Sequence, residues 1–424
     1  MWALIAGPAW AQSWTVQPLY VGTDIVGATG DVAAAVALAG APEADRLYFA
    51  LVRETPNGND RRSTLYLGIL DCPGWTACPT PTTVVVGSTQ DGDGPLPSIA
   101  VEEIPGAEPR IHVLHAARYP TCTPQVRRIE EHVYDPVTGL FDAWVVHEPD
   151  ACADAQLSHT VIADGTVWTC WTEDPPTGGF DNQVWCGTRP LAPGPGVDPN
   201  WTTALLADGA QTQDHSWFTV ADGARYAVVR DRDATPDAID LHVDGVTGPL
   251  ADGSPVQDDD FPSIARAPDG TLHAVWVEAR RRISYAKCVS ACDDPASWVV
   301  QPRPVRKFDT GTVDHPEIAI SDTGRMFVFW SEDHDPTAAD QRRIHVKDKC
   351  LSDLMFSPAT EPGDVVHDLG ATPIDQTMLI GRPRVWIDDV GHTLHLAWLE
   401  KDHPGANPTH GDAIWAWRAF DPCP

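Results

Sequence analysis

One segment of the chain recurs with variation along its whole length, and that repetition limits the folds available more than any other feature. The clearest copy is Phe261-Pro-Ser-Ile-Ala-Arg-Ala-Pro-Asp-Gly-Thr-Leu-His-Ala-Val-Trp-Val-Glu278. Its apolar alternation on either side of Asp269-Gly270 predicts two strands joined by a tight turn. Arg282-Ile-Ser-Tyr285 predicts a third strand and Ser297-Trp-Val-Val-Gln-Pro302 a fourth. The same order returns from His315 and from Arg382, and weaker copies begin near Asp31, Leu96, Leu157 and Asp214. Units of roughly 40 to 70 residues result, each a small antiparallel sheet.

A four-stranded sheet with two apolar faces cannot bury both by itself, whereas several packed around an axis bury all of them. At 424 residues the chain outgrows one ordinary core, and its 17 Trp supply the packing that such a ring needs. The expected fold class is therefore all-β: a seven-bladed β-propeller of four-stranded antiparallel blades over residues 12–424, with blades starting near 31, 96, 157, 214, 261, 315 and 382. The last unit stops after its third strand, Ile414 to Arg418. Its missing fourth strand is found at the other end of the chain, where Ser13-Trp-Thr-Val-Gln-Pro18 closely resembles Ser297-Trp-Val-Val-Gln-Pro302. Residues 13–20 are predicted to complete blade seven and close the ring.

Export is expected. Ala9-Trp10-Ala11 follows a short apolar stretch in the manner of a signal-peptidase site, so residues 1–11 read as the remnant of a signal peptide. The ten cysteines are even in number, spread over many repeats and contain no C-x-x-C pair, which favours disulfides over zinc. In the predicted ring, pairing in sequence order violates no geometry: Cys72–Cys78, Cys122–Cys152, Cys170–Cys186, Cys288–Cys292 and Cys350–Cys423. A secreted, periplasmic or envelope location follows, with a monomer as the expected state. The net charge of −31 excludes a nucleic-acid partner, whose phosphates demand a basic surface. No apolar run approaches the ~18 residues of a membrane-spanning helix.

The polar candidates begin with the residue ending each second strand: Glu54, Glu173, Asp231, Glu278, Glu332 and Glu400, with Arg118 in blade two. Together they would ring the top face, where carboxylates can bind sugar hydroxyls, calcium or, in pairs, hydrolyse a glycoside. The bland account is that strand ends are polar and an acidic protein makes them acidic. Asp231, Asp233, Asp237 and Asp240 place oxygens at intervals suited to Ca²⁺, without the Gly and Glu of an EF-hand loop. Glu332-Asp-His-Asp335, Glu400-Lys-Asp-His403 and His410 offer transition-metal ligands on matching loops. His159, His215 and His315 read as strand-end histidines, because no G-x-S-x-G elbow accompanies them. The recurring Trp171, Trp276, Trp330 and Trp398 read as core.

The P-S-I-A…D-G-x-x-H-x-V-W texture, from Pro262 to Trp276 and in the copies Pro97 to His115, Pro316 to Trp330 and Pro383 to Trp398, resembles the sialidase-like, BNR-repeat propellers of secreted bacterial proteins. That resemblance implies the propeller and a ligand site on its top face. The family's Asp-box, S-x-D-x-G-x-T-W, lies between third and fourth strands, whereas Asp-Gly here lies between first and second. Its Arg-Ile-Pro motif is replaced by Asp31-Val-Ala-Ala-Ala35, and its catalytic Tyr, Glu and Asp have no matching positions. Arg118, Arg382 and Arg384 remain as top-face arginines whose guanidinium fork matches a carboxylate. The expected function is non-catalytic binding of a glycan or partner protein. A sialidase-like glycoside hydrolase or polysaccharide lyase, and a purely structural scaffold, are the alternatives. No cofactor is required by this expectation beyond an optional Ca²⁺.

Overall fold

The computed structural model describes residues 14–424 apart from 21–31, 42–44, 58–59, 76–77, 80, 91–96, 120–125, 149–153, 175–182, 192–199, 208–215, 232–236, 252–258, 308–310, 334–341, 358–363, 369–383 and 401–411. Strands pair into seven separate antiparallel sheets in simple sequence order. Blade 1 takes Val32–Ala41, Arg46–Asn57, Asp60–Asp71 and Thr82–Gln90, and blade 2 takes Ser98–Glu102, Arg110–Tyr119, Val126–Asp135 and Leu140–His147. Asp154–Ala163, Thr166–Asp174, Gln183–Pro190 and Thr202–Ala207 form blade 3. Ser216–Ala221, Ala224–Asp231, Ala238–Val243 and Val246–Ala251 form blade 4. Blade 5 runs from Asp259–Arg266 through Leu272–Glu278 and Arg282–Cys288, and blade 6 is Thr312–Ile320, Arg325–Asp333, Arg342–Cys350 and Asp364–Asp368.

Blade 7 holds Arg384–Asp388, Thr393–Glu400 and Asp412–Ala419, and its fourth strand is Thr15–Tyr20. Thr15 lies opposite Trp417 and Pro18 opposite Ile414, so the N-terminal strand closes the ring as its sequence predicts. Blade 5 departs from expectation in its fourth strand. Residues 297–302 are not one strand; Val299–Val300 and Arg306–Lys307 pair separately with Arg282–Cys288. Pro302 and Pro304 lie between them and cannot donate to a ladder. Ahead of them Asp294 caps a short 3-10 turn, Pro295–Ser297, by accepting from the Ala296 amide at 3.0 Å.

The apolar clusters lie between blades rather than within them. Trp276 packs with Trp217 and Leu241 of blade 4, Trp330 with Val275 and Tyr285 of blade 5, and Trp415 of blade 7 with Leu47 and Phe49 of blade 1. Polar contacts cross the same boundaries. Buried Glu131 of blade 2 receives Arg189 of blade 3 through two hydrogen bonds, and His112 binds Glu131 on one ring nitrogen and Glu102 on the other. Four disulfides join Cys72 to Cys78, Cys170 to Cys186, Cys288 to Cys292 and Cys350 to Cys423, and none of the described cysteines is free. The Cys122–Cys152 pairing lies outside the described residues. Four disulfides indicate an oxidising compartment. Among the described residues no helix is long and apolar enough to cross a membrane.

Burial also sets a pH dependence. It pushes the pKa of His395 down to about 3 and that of His242 to about 4; His273 falls to about 4 through burial, with Lys349 adding to it. An unfolded imidazole titrates near 6.5. The unfolded chain therefore takes up protons as pH falls below about 6.5 while the folded one does not, and stability present above that pH is lost toward pH 4 to 3. Each of the three costs about 2 kcal/mol by pH 5. Asp240 and Asp389, raised to about 6 chiefly by burial, work in the opposite sense but keep solvent contact. His112 also opposes: burial lowers its pKa, but Glu102 and Glu131 raise it further. The expected result is a melting temperature lower at pH 5 than at pH 7; a profile flat between them contradicts this account.

Candidate functional site

The first strand of each blade lines the axis, and several of these strands are irregular near their start. Register shifts fall between Leu157 and His159 in blade 3, Asp260 and Ser263 in blade 5, and Asp314 and Glu317 in blade 6. Phe261 and His315 take left-handed backbone angles, φ 50° and 52°, although each precedes a proline, which favours an extended conformation. Such a residue costs on the order of 1–3 kcal/mol and persists only where neighbours impose it. At Phe261 the constraint is visible: Asp260 accepts from its amide at 2.8 Å and is itself held by Arg230 at 2.8 Å. The two irregularities bring the Phe261 and His315 rings to 4.1 Å across a blade boundary, with both side chains partly exposed.

Across the ring, Arg384 begins the first strand of blade 7. Its guanidinium stands 4.8 Å from the ring centroid of Trp217, in the first strand of blade 4, and His159 of blade 3 stacks on Trp217 at 4.1 Å. Blades 7 and 4 are three places apart, so the Arg384–Trp217 contact spans the centre. Burial lowers the Arg384 pKa and the charge of Glu317 of blade 6 opposes this; Glu317 Oε1 accepts from the Val385 amide at 3.2 Å. The centre thus presents a partly buried guanidinium over the Trp217–His159 stack, an arrangement suited to an anion.

Among the described acids ending the second strands, Glu173, Glu278 and Glu332 are engaged with neighbouring side chains. Glu54 is buried. Glu173 accepts from the Trp171 indole at 2.8 Å and lies 2.6 Å from His147 of blade 2. Glu332 accepts from Trp330 at 3.0 Å and from Arg306 of blade 5 at 2.9 and 2.7 Å. Both carboxylates latch a blade to its predecessor, where a buried charge needs a partner. Glu278 differs: it accepts from Ser284 at 2.6 Å, and the indole N–H of buried Trp276 has no acceptor among the described residues. These two residues, with Asp259, Leu250, Asp294 and Val300, line a cavity of about 720 Å³ between blades 4 and 5.

Of the remaining candidates, Arg118 and Glu400 lie in second strands, but their side chains are outside the described set, as are Arg382 and Asp233. Asp237 is held by Arg230 at 3.0 and 2.6 Å, so its Oδ2 is already engaged; Asp231 ends a strand and acts on Asp240. The loop residues His334, His403 and His410 also lie outside the described residues. Trp217 and Phe261 do not stand out in the sequence, because an apolar residue at a strand start reads as core. The signal was present, though: an aromatic or histidine stands directly before the proline in Asp-Phe-Pro262 and Asp-His-Pro316.

Neither a family model nor a curated protein matches the chain. Solved structures are similar to it at very low identity. An α-L-arabinanase from Penicillium chrysogenum complexed with arabinobiose is 9% identical with a TM-score of 0.46, covering 95% of this chain and 97% of that one. The hemagglutinin-neuraminidase ectodomain of parainfluenza virus 5 is 6% identical with a TM-score of 0.45, covering 96% of this chain and 86% of that one. An α-L-arabinofuranosidase from Lactobacillus brevis is 12% identical with a TM-score of 0.40, covering 63% of this chain and 94% of that one.

Proposed function

We propose that this is an exported, monomeric binding module, secreted or held in the cell envelope, that takes a carboxylate-bearing glycan at the centre of its ring. Arg384 carries the proposal. A partly buried guanidinium hydrogen-bonded to no carboxylate among the described residues gains from an anionic ligand that brings its own acceptor pair. The partly exposed rings of Phe261, His159 and His315 offer apolar surface for the C–H side of a sugar. The protein's charge of −31 slows the approach of such a ligand, but screening confines that field to roughly 8 Å in physiological salt. On a glycan array, uronic- and sialic-acid glycans should be retained and their neutral counterparts should not. Arg384→Ala should weaken retention at least ~30-fold, the worth of a charge-assisted pair; retention unchanged in that variant rejects the site.

A hydrolase is the second reading. Asp259 and Glu278 stand opposite each other in register and line one cavity, as a paired-carboxylate mechanism requires. Release of reducing sugar from a retained glycan, lost in Glu278→Gln, would replace the binding reading with this one.

A further inference from the structure

Blade 2 breaks the repeat where blades 5, 6 and 7 carry Trp276, Trp330 and Trp398: the equivalent residue is His115. Its cross-strand partner is Glu130, and His132 follows two residues later on the same face of the third strand. The two imidazole Nε2 atoms are 3.0 Å apart, and Glu130 Oε2 lies 3.5 Å from that of His132 and 3.9 Å from that of His115. These separations form a triangle whose centre is about 2.0 Å from every corner, the length of a zinc–imidazole bond.

From this geometry we propose a transition-metal site at His115, Glu130 and His132, with zinc as the metal whose coordination it fits. The donor set, two neutral imidazoles and one carboxylate, suits zinc and its neighbours rather than calcium, which takes six or more oxygens. Both rings are largely withdrawn from solvent, with side-chain exposures of 2% and 10%, and Glu130 is also well covered. Arg128 fixes the carboxylate by donating to its other oxygen, Oε1, at 2.8 Å, and so leaves Oε2 turned toward the histidines. Orientation of a ligand by a partner outside the metal shell is usual for such sites. On the neighbouring blade Gly87 faces the His132 ring, where a side-chain carbon added to it would stand 4.0 Å from Cε1, so blade 1 places no side chain of its own at that point.

The test uses the full chain, stripped by chelator and dialysed. Titration with Zn²⁺ by calorimetry should show one equivalent per chain at this site with micromolar or tighter affinity, and Co²⁺ should give the visible absorption of a tetrahedral N/O complex. His132→Ala should weaken zinc binding at least ten-fold. Glu130→Gln, the less buried change, should do the same and carries the test should His132→Ala fail to fold. Histidines elsewhere, such as His403 and His410, make the variants decisive. Zinc uptake unchanged in both variants, or no uptake by the parent protein, would mean that His115 and His132 share only a hydrogen bond. A melting temperature raised by Ca²⁺ but not by Zn²⁺ would equally overturn the site and point to the Asp231–Asp240 turn.

Discussion

Deleting residues 1–20 should cost roughly 5 kcal/mol of stability, because the deletion removes a strand rather than a tail. Thr15–Tyr20 supplies the fourth strand of blade 7, and Leu19 is buried in the cluster shared by blades 7 and 1. Trp14 meets Phe329 of blade 6 edge-on, and Arg418 covers its ring at 4.8 Å. Tyr20 receives Arg53 of blade 1 at 4.6 Å. The deletion also bares the backbone of Asp412–Ala419, an unprotected sheet edge prone to pairing with another copy. The truncated chain should melt well below the parent and show concentration-dependent association by light scattering. A synthetic peptide of residues 13–20 should restore part of the loss. Parental melting in the truncated protein would refute closure by this strand.

Glu131→Ala should be nearly as damaging, about 3–5 kcal/mol, for a different reason. It leaves the Arg189 guanidinium buried between Trp144 and Trp201, 5.9 and 5.5 Å from their centroids, with its charge uncompensated. His112 loses one of its two carboxylate partners in the same change. Removing both charges in Glu131→Leu/Arg189→Met should recover most of the stability, since an apolar pair of similar volume avoids the desolvation of either ion. Chemical denaturation of the parent, both single variants and the double variant gives the coupling energy directly. A coupling below about 0.5 kcal/mol would mean that the pair does not bind blade 2 to blade 3.

The ring could be read from the sequence because repetition and closure are both one-dimensional signals. Ser13 to Pro18 resembles Ser297 to Pro302 so closely that the position of the last strand followed without coordinates. The site could not be read so fully. A glutamate ending a strand looks the same whether it faces water or a neighbouring blade; only the approach of His147 to Glu173, and of Arg306 to Glu332, decides the matter. Strict alternation also hides the slips at Phe261 and His315, where one inserted residue brings their rings together across a blade boundary. Arg384 was within reach because an arginine has few uses at a strand start. His115 and His132 were not, since their meeting depends on the register between two strands.

The bridge from Cys350 to Cys423 differs from the other three described disulfides in linking two blades, with a separation of 73 residues. A protease that cleaved the chain once between those cysteines would leave both fragments covalently joined. Such a nicked molecule would run as two pieces only after reduction, and its seventh blade would stay within reach of the strand that completes it. The last sector of the ring is thus built to survive cutting.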